Sequence, residues 1–542
     1  MQERDRIALS LGSVLSFGIA FIIFLIAAFP SVLAGETRIT ITEEYKGVIR
    51  EQKPHVLLDV NPYDTTGGFT PEQQAALADI INSPNLSVER DVIQNAIIVD
   101  LYKKGNYAVL LNEAQAYVKK YPEGHPVYRP HILFAIAEAY YYQAEYQEAL
   151  ARYRQLMNNY ASSEIYSSAH QGLAWCLTHL GRYAEARVEF KERLRPPTPE
   201  GLVVALYGRA INDFNDGRYQ DAIQLFLDET GYRNIMVEGI WSPLSKSLVP
   251  NNLYFKGLAY DRLGDPKTAA SYFRRVAEDY PNHPKAGSAT YLVGWLSFLA
   301  ADYSTAISWF NKSIALVKDS SSLFEIRSNL SQAYFNAGRL GEAISSWRSI
   351  REGWGSAVAN TGLEQAYTRL VSEDMYDNPV SMDSLECLLK NFAVDLPTSH
   401  DLPTFQVDLA QRYYDEKNYD KTLKWAATAS GGQASEDIIK QAKRLRLYAF
   451  FSQKKWAKLV EEGKNFLAKY SVEDDLMLNL ALGFGYAARA DDLEKNNKTT
   501  EANKLYKEAI PFLEYYMKSV SADDSYRERV EQVLSYCRMR IQ

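Results

Sequence analysis

The side chains of this 542-residue sequence best suited to hold a metal or arm a nucleophile are seven histidines and three cysteines. The histidines are His55, His125, His131, His170, His179, His283 and His400, and the cysteines are Cys176, Cys387 and Cys537. No H-E-x-x-H pair occurs, and no histidine lies near a cysteine pair at ligand spacing. His170 and His179 stand nine residues apart, which at 100° per residue puts them on opposite sides of a helix, so they cannot share a metal there. Neither G-x-S-x-G nor G-x-x-x-x-G-K-[ST] is present, so a hydrolase elbow and a phosphate loop both lack support. The many carboxylates interleave with Lys and Arg, as on solvated helix faces. His125 and His283 recur in Tyr121-Pro122-Glu123-Gly124-His125-Pro126 and Tyr280-Pro281-Asn282-His283-Pro284, where proline fixes a turn. We therefore assign no catalytic residue, no metal and no cofactor. The chemistry left to the chain is binding.

The elements that would present a binding surface recur. Units begin near Asp91, Pro130, Ser167, Val203, Pro250, Gly287, Phe324, Thr361, Pro403, Lys440 and Leu476, most of them 36 or 37 residues apart. In Leu173-Ala174-Trp175-Cys176-Leu177 an apolar run has helical spacing, Leu180-Gly181-Arg182 breaks it, and Ala186 and Phe190 restart it four residues apart. Two helices joined by so short a turn lie antiparallel, and where they cross one residue on each must be small. The pair Ala174 and Ala186 returns as Ala137 with Ala149, Ala210 with Ala222, Gly257 with Ala269, Gly294 with Ala306, and Ser331 with Ala343. Four residues after the second comes a large plug: Tyr153, Phe190, Phe226, Phe273, Phe310 or Trp347. A fixed period of this kind means a solenoid, each unit burying its apolar face only against its neighbours.

On these residues the chain resembles the tetratricopeptide repeat family. Tyr140, Tyr260 and Tyr334 match its first-helix tyrosine; Asn106-Tyr107, Arg182-Tyr183 and Arg218-Tyr219 match its turn; Pro122 and Pro281 close two units. The resemblance spans roughly residues 91–540. It implies an all-α, right-handed superhelical solenoid of about ten or eleven helical hairpins. A signal or anchor segment, read from residues 1–34 themselves, precedes it. In the first unit Ile98 and Leu110 replace both small residues, and in the tenth Leu447 and Leu459 do so. The unit from Thr361 to Leu402 is broken by Asp377-Asn378-Pro379, and the eleventh pairs Gly483 with Ala509 only if residues 491–500 are an insertion or a helix extension.

The resemblance further implies that the first helix of each unit lines a concave groove. Carried over position by position, the groove-facing set is Tyr102, Tyr141, Trp175, Phe214, Tyr254, Tyr291, Trp295, Phe298, Phe335, Tyr414, Tyr448 and Phe451, with Phe134, Tyr207 and Phe484 in a wider set. Aromatic rings with a polar edge suit an extended peptide, a partner helix or a sugar chain. The competing reading is that such rings pack between adjacent first helices as core. The family's clamp for a C-terminal carboxylate uses Lys, Arg and Asn at groove positions that here are largely aromatic or apolar, Arg444 and Asn95 excepted.

Residues 7–29 carry no charge, and Pro30 and Val32-Leu33-Ala34 follow, which reads as a secretory signal over 1–34. The run is also long enough to remain as a membrane anchor. Either places the body outside the cytoplasm, periplasmic or tethered to the inner membrane. Residues 35–90 read as a linker, with a strand-like Thr37–Thr42 and a capping helix from Thr70. Regular repeats occupy 91–351, an irregular segment 352–402, and C-terminal repeats with a capping helix 403–542. The three cysteines sit in apolar helical contexts and read as buried free thiols. A net charge of -7 argues against nucleic acid. The function expected is a non-catalytic cell-envelope scaffold whose groove binds a protein of an assembly or secretion complex. The alternative is a glycan-binding protein of polysaccharide export or wall maintenance.

Overall fold

A computed structural model describes residues 90–122, 128–192, 199–235, 243–318, 320–355, 357–472 and 475–541. The signal or anchor at 1–34, the strand-like Thr37–Thr42 and the capping helix from Thr70 lie outside the described residues. Contacts divide the chain into two units that meet at residues 317 and 318, within the run of regular repeats.

The described part of the first unit is built of α1 (Arg90–Lys103), α2 (Tyr107–Lys120), α3 (Tyr128–Tyr142), α4 (Tyr146–Asn159), α5 (Tyr166–His179), α6 (Tyr183–Glu192), α7 (Pro199–Asn215), α8 (Tyr219–Leu225), α9 (Glu229–Ile235), α10 (Pro243–Arg262), α11 (Pro266–Asp279), α12 (Ala286–Leu299) and α13 (Tyr303–Leu316). The second holds α14 (Ser320–Asn336), α15 (Leu340–Trp354), α16 (Ala357–Ser372), α17 (Met382–Asp395), α18 (Leu402–Asp415), α19 (Tyr419–Ala429), α20 (Glu436–Ser452), α21 (Trp456–Leu467), α22 (Leu476–Lys495), α23 (Thr499–Ser519) and α24 (Arg527–Arg540). These helices pair into eleven hairpins, and each start read from the sequence falls in a first helix. The long step from Val203 to Pro250 is filled by the extra helix α9 and by the early start of α10.

In ten of the eleven hairpins the turn passes through a left-handed residue, five times glycine (Gly105, Gly181, Gly217, Gly264 and Gly338) and otherwise Ala144, Ala301, Lys417, Lys454 or Asn497. The exception joins α16 to α17, where a π-helical turn at Glu373–Asp377 and then Pro379 do the work of the tight turn. What the sequence marks as an irregular segment is thus a complete hairpin with a different connection, Ser381 capping α17 through the Ser384 amide at 3.2 Å. In the last hairpin the additional residues extend both helices, α22 to Lys495 and α23 from Thr499.

The small pairs are buried at the crossings. A Cβ on Gly257 would come within 2.8 Å of Phe273, and one on Gly294 within 2.8 Å of Phe310, so each plug closes over its own hairpin's small residue. Plugs also seat between hairpins. Tyr153 fills the space beside Gly172, Phe190 beside Gly208, and Trp347 beside Gly362. Within each unit successive first helices touch at several junctions, α3 against α5 and α20 against α22 among them. No two successive second helices come equally close among the described residues, so the first helices form the inner layer.

Candidate protein-binding face

Hairpin geometry decides which aromatic rings can meet a partner. Tyr102, Tyr141, Trp175, Phe214 and Tyr254, expected on the groove, are buried, as are Phe134 and Tyr207 of the wider set. The reason lies in how successive first helices of the first unit meet. The Tyr141 hydroxyl reaches His179 Nε2 at 2.7 Å, Trp175 lies 6.2 Å from Tyr207 between ring centroids, and Phe214 lies 5.6 Å from Phe255. These rings are the core between repeats, and as surface-lining residues they are corrected here.

The remaining rings are half-buried, each with part of its surface open: Tyr291, Trp295 and Phe298 on α12, Phe335 on α14, Tyr414 on α18, Tyr448 and Phe451 on α20, and Phe484 on α22. On α12, Trp295 stacks on Phe298 with centroids 5.8 Å apart. In the second unit the rings run across helices. Tyr414 meets Tyr448 at 6.2 Å, one turn along α20 lies Phe451, and Phe451 meets Phe484 at 6.4 Å. Met477 is exposed at the start of α22, and the Arg529 guanidinium of α24 lies over Phe484, 5.6 Å from its centroid. The two ring pairs are linked into a ladder along α20 by the single turn that separates Tyr448 from Phe451.

Polar groups pin it. The Tyr448 hydroxyl donates to both Asp475 carboxylate oxygens at 2.7 Å, and Asp475 also caps α22 by accepting from the Leu478 amide at 2.9 Å. Burial, and then the Asp475 carboxylate, push the Tyr448 phenol far above its ordinary pKa, so it stays a donor. Arg444 pairs with the same carboxylate at 3.5 Å. Further along, Arg369 lies over Phe335 and donates to its carbonyl at 3.1 Å, and Arg412 donates to the Met375 carbonyl beneath Tyr376.

Other candidates for chemistry resolve into structure. His170 Nε2 pairs with Glu189, His179 with Tyr141, and the Lys285 amide donates to His283 Nδ1 at 3.2 Å in the turn before α12. The described residues contain no group of three or more His, Cys, Asp or Glu placed to hold a metal ion. Cys176 and Cys537 are buried, and burial pushes the Cys537 thiol up to about 11. Cys387 is exposed, contrary to the sequence reading, because it lies on the solvent side of α17, opposite the buried Leu385 and Leu389.

Sequence reasoning passed over Arg529 and Met477 as parts of the face, and Gly172 and Gly208 as sockets. A signal for the sockets exists, since each glycine stands two residues before the small Ala174 or Ala210 and 18 or 19 residues after a plug.

The family model described as tetratricopeptide repeat matches residues 134–201 and 256–322, each match running through two of the hairpins above. The hairpins in those two segments are tetratricopeptide repeats. The solved structures similar to the chain include the C-terminal part of a TPR repeat-containing protein from Cytophaga hutchinsonii, 18% identical, covering 49% of this chain and 98% of that one at a TM-score of 0.39. The apo form of RapI is 11% identical and covers 73% and 96% at a TM-score of 0.40. The Cut9–Hcn1 hetero-tetramer structure is 11% identical and covers 86% and 98% at a TM-score of 0.26. Likenesses this distant carry no argument about function. No curated protein matches. The aromatic ladder lies outside both matched segments.

Proposed function

We propose that this protein is a non-catalytic scaffold of the cell envelope, holding a protein partner on the inner aromatic face of its second unit. The observation that carries the proposal is the half-open ladder from Tyr414 through Tyr448 and Phe451 to Phe484, built on three adjacent first helices. Large rings already fixed by neighbours lose little freedom on binding, which makes them efficient contact points. An apolar patch with a polar rim is the expected surface for protein. Exposed Met477 and the flanking Arg444 and Arg529 fit that description. A glycan site would set carboxylates free beside flat rings, whereas Asp475 beside Tyr448 is already taken by the phenol and by the helix cap. The uncharged run at residues 7–29 supports the envelope location.

The test is capture from an envelope extract of the source cells on the immobilised protein, with a parallel wash in competing polysaccharide. A protein recovered in stoichiometric amount that survives the wash supports the scaffold. Recovery of glycan, or loss of everything in the wash, rejects it.

A further inference from the structure

The outer stripes of the second helices differ in what they show to solvent. On α11 the exposed positions are Lys267, Ser271, Arg274 and Glu278, a solvated face. On α17 they are Ser384, Cys387, Asn391 and Val394, none of them charged, and Val394 is 81% exposed. At about 100° per residue these four fall within about 80° of one another, opposite the buried Leu385, Leu389 and Phe392. Along one flank of the stripe stand two charges, Asp383 with its side chain 89% exposed and Lys390 with its side chain 58% exposed.

The order of these groups is self-complementary about Cys387. Asp383 lies four residues before it and Lys390 three after it, which along a helix is about 6 Å to one side and about 4.5 Å to the other. Two copies of α17 packed antiparallel are related by a twofold axis normal to the plane of the helix pair. That rotation sets each flank against the same flank of the other copy, with its order reversed. Asp383 of one copy then comes level with Lys390 of the other to within about 1.5 Å, and the pair occurs twice. On the other flank Ser384 meets Asn391 by the same rule, and Cys387 meets its own image on the axis. A parallel pair would instead set Asp383 against Asp383 and Lys390 against Lys390. Both charges have room for a further contact. Asp383 reaches Lys421 at 3.2 Å and Lys390 reaches Glu386 at 2.9 Å, yet each stays largely in solvent.

We propose that a second copy of this chain docks on the outer face of α17, antiparallel across a twofold axis at Cys387, with the register fixed by two Asp383 to Lys390 pairs. The uncharged stripe forms the contact between the helices and the charges close its flank. One helix from each copy buries less than a standard interface, so the dimer is weak and depends on the charges. The surface lies on a second helix, whereas the aromatic ladder lies on first helices. The proposal therefore stands whether or not a partner occupies the ladder.

The experiment treats full-length protein in a mild detergent with a short bismaleimide, which joins two thiols. Cys176 and Cys537 are buried, so Cys387 is the one thiol within reach. The parent is expected to give a covalent dimer on denaturing gels, and Cys387→Ser to lose it. Asp383→Lys and Lys390→Glu, carrying different affinity tags, each set like charge against like in both pairs. Each is expected to lower the yield of dimer on the order of tenfold, as facing like charges oppose association. Mixed in equal amounts, the two variants restore opposite charges in both pairs. The dimer is then expected to return to the parental yield and to carry both tags. Val394→Arg, at a position too exposed to disturb the fold, is expected to remove most of the dimer, with helical content by circular dichroism unchanged. No cross-link through Cys387, equal yields from the parent and both charge variants, or a mixture no better than either variant alone overturns the proposal.

Discussion

Phe310 closes over Gly294 so tightly that a methyl group on the glycine would come within 2.8 Å of the ring and 3.3 Å of the Phe310 backbone nitrogen. The ring could shift, but the backbone nitrogen belongs to α13 and can move only with the whole helix. Gly294→Ala is therefore expected to destabilise by about 1–2 kcal/mol, the overpacking cost exceeding the roughly 1 kcal/mol that alanine gains in a helix. Gly341, with open space around the same built methyl, should gain from the same change. Chemical denaturation of the two variants should move in opposite directions.

Core and surface rings should separate cleanly. Trp175 is buried and tied to Phe190 and Tyr207, so Trp175→Ala should cost about 3–5 kcal/mol. Phe451 is half-open, and Phe451→Ala should cost about 1–2 kcal/mol while weakening partner binding. Thermal melts read beside binding would show the opposite ranking for the two properties.

The turns make a third case. Ala301 holds a left-handed conformation at φ 59°, which strains an L residue, whereas Gly181 holds it at φ 73° without that strain. Ala301→Gly should stabilise by about 0.5–1 kcal/mol and Gly181→Ala should destabilise by a similar or larger amount. Equal melting temperatures for Ala301→Gly and the parent would contradict this.

Acid sensitivity follows from Glu386. Its bond to Lys390, then those from Tyr413 and Lys421, hold its carboxyl down to about 2 from an ordinary 4.5, against the opposing effect of burial. A carboxyl lowered by folding lends stability that is complete above its unfolded value and is lost as pH falls through its folded value. Glu386→Gln should thus be less stable than the parent at neutral pH, with the gap closing between about pH 4.5 and 2. A gap that stays constant across that range would show that the lysine and tyrosine bonds add nothing to the charged form.

The hairpins were legible because their determinants are local and periodic: Ala210, Ala222 and Phe226 repeat at one spacing, and the structure buries all three. Even the irregular connection between α16 and α17 was flagged by Asp377-Asn378-Pro379, although a π turn could not be told from a broken unit. The binding face was legible only in part. Phe214 and Phe451 each stand eleven residues into their unit, yet one is sealed by the next repeat and the other is left half-open. That difference depends on the partners across the junction, Phe255 in one case and Phe484 with Arg529 in the other, and not on the period. Arg529 escaped notice because it belongs to a cap helix outside the repeat register.

The most direct measurement is the affinity of the purified partner, by titration calorimetry, for the parent protein, for Phe451→Ala with Phe484→Ala, and for Tyr141→Phe. The ladder account predicts at least a tenfold loss in the double variant, on the order of what central aromatic contacts contribute. Tyr141 is buried and bonded to His179, so its change should leave affinity intact. Unchanged affinity in the double variant, with its helical content preserved, would contradict the claim that this face holds the partner.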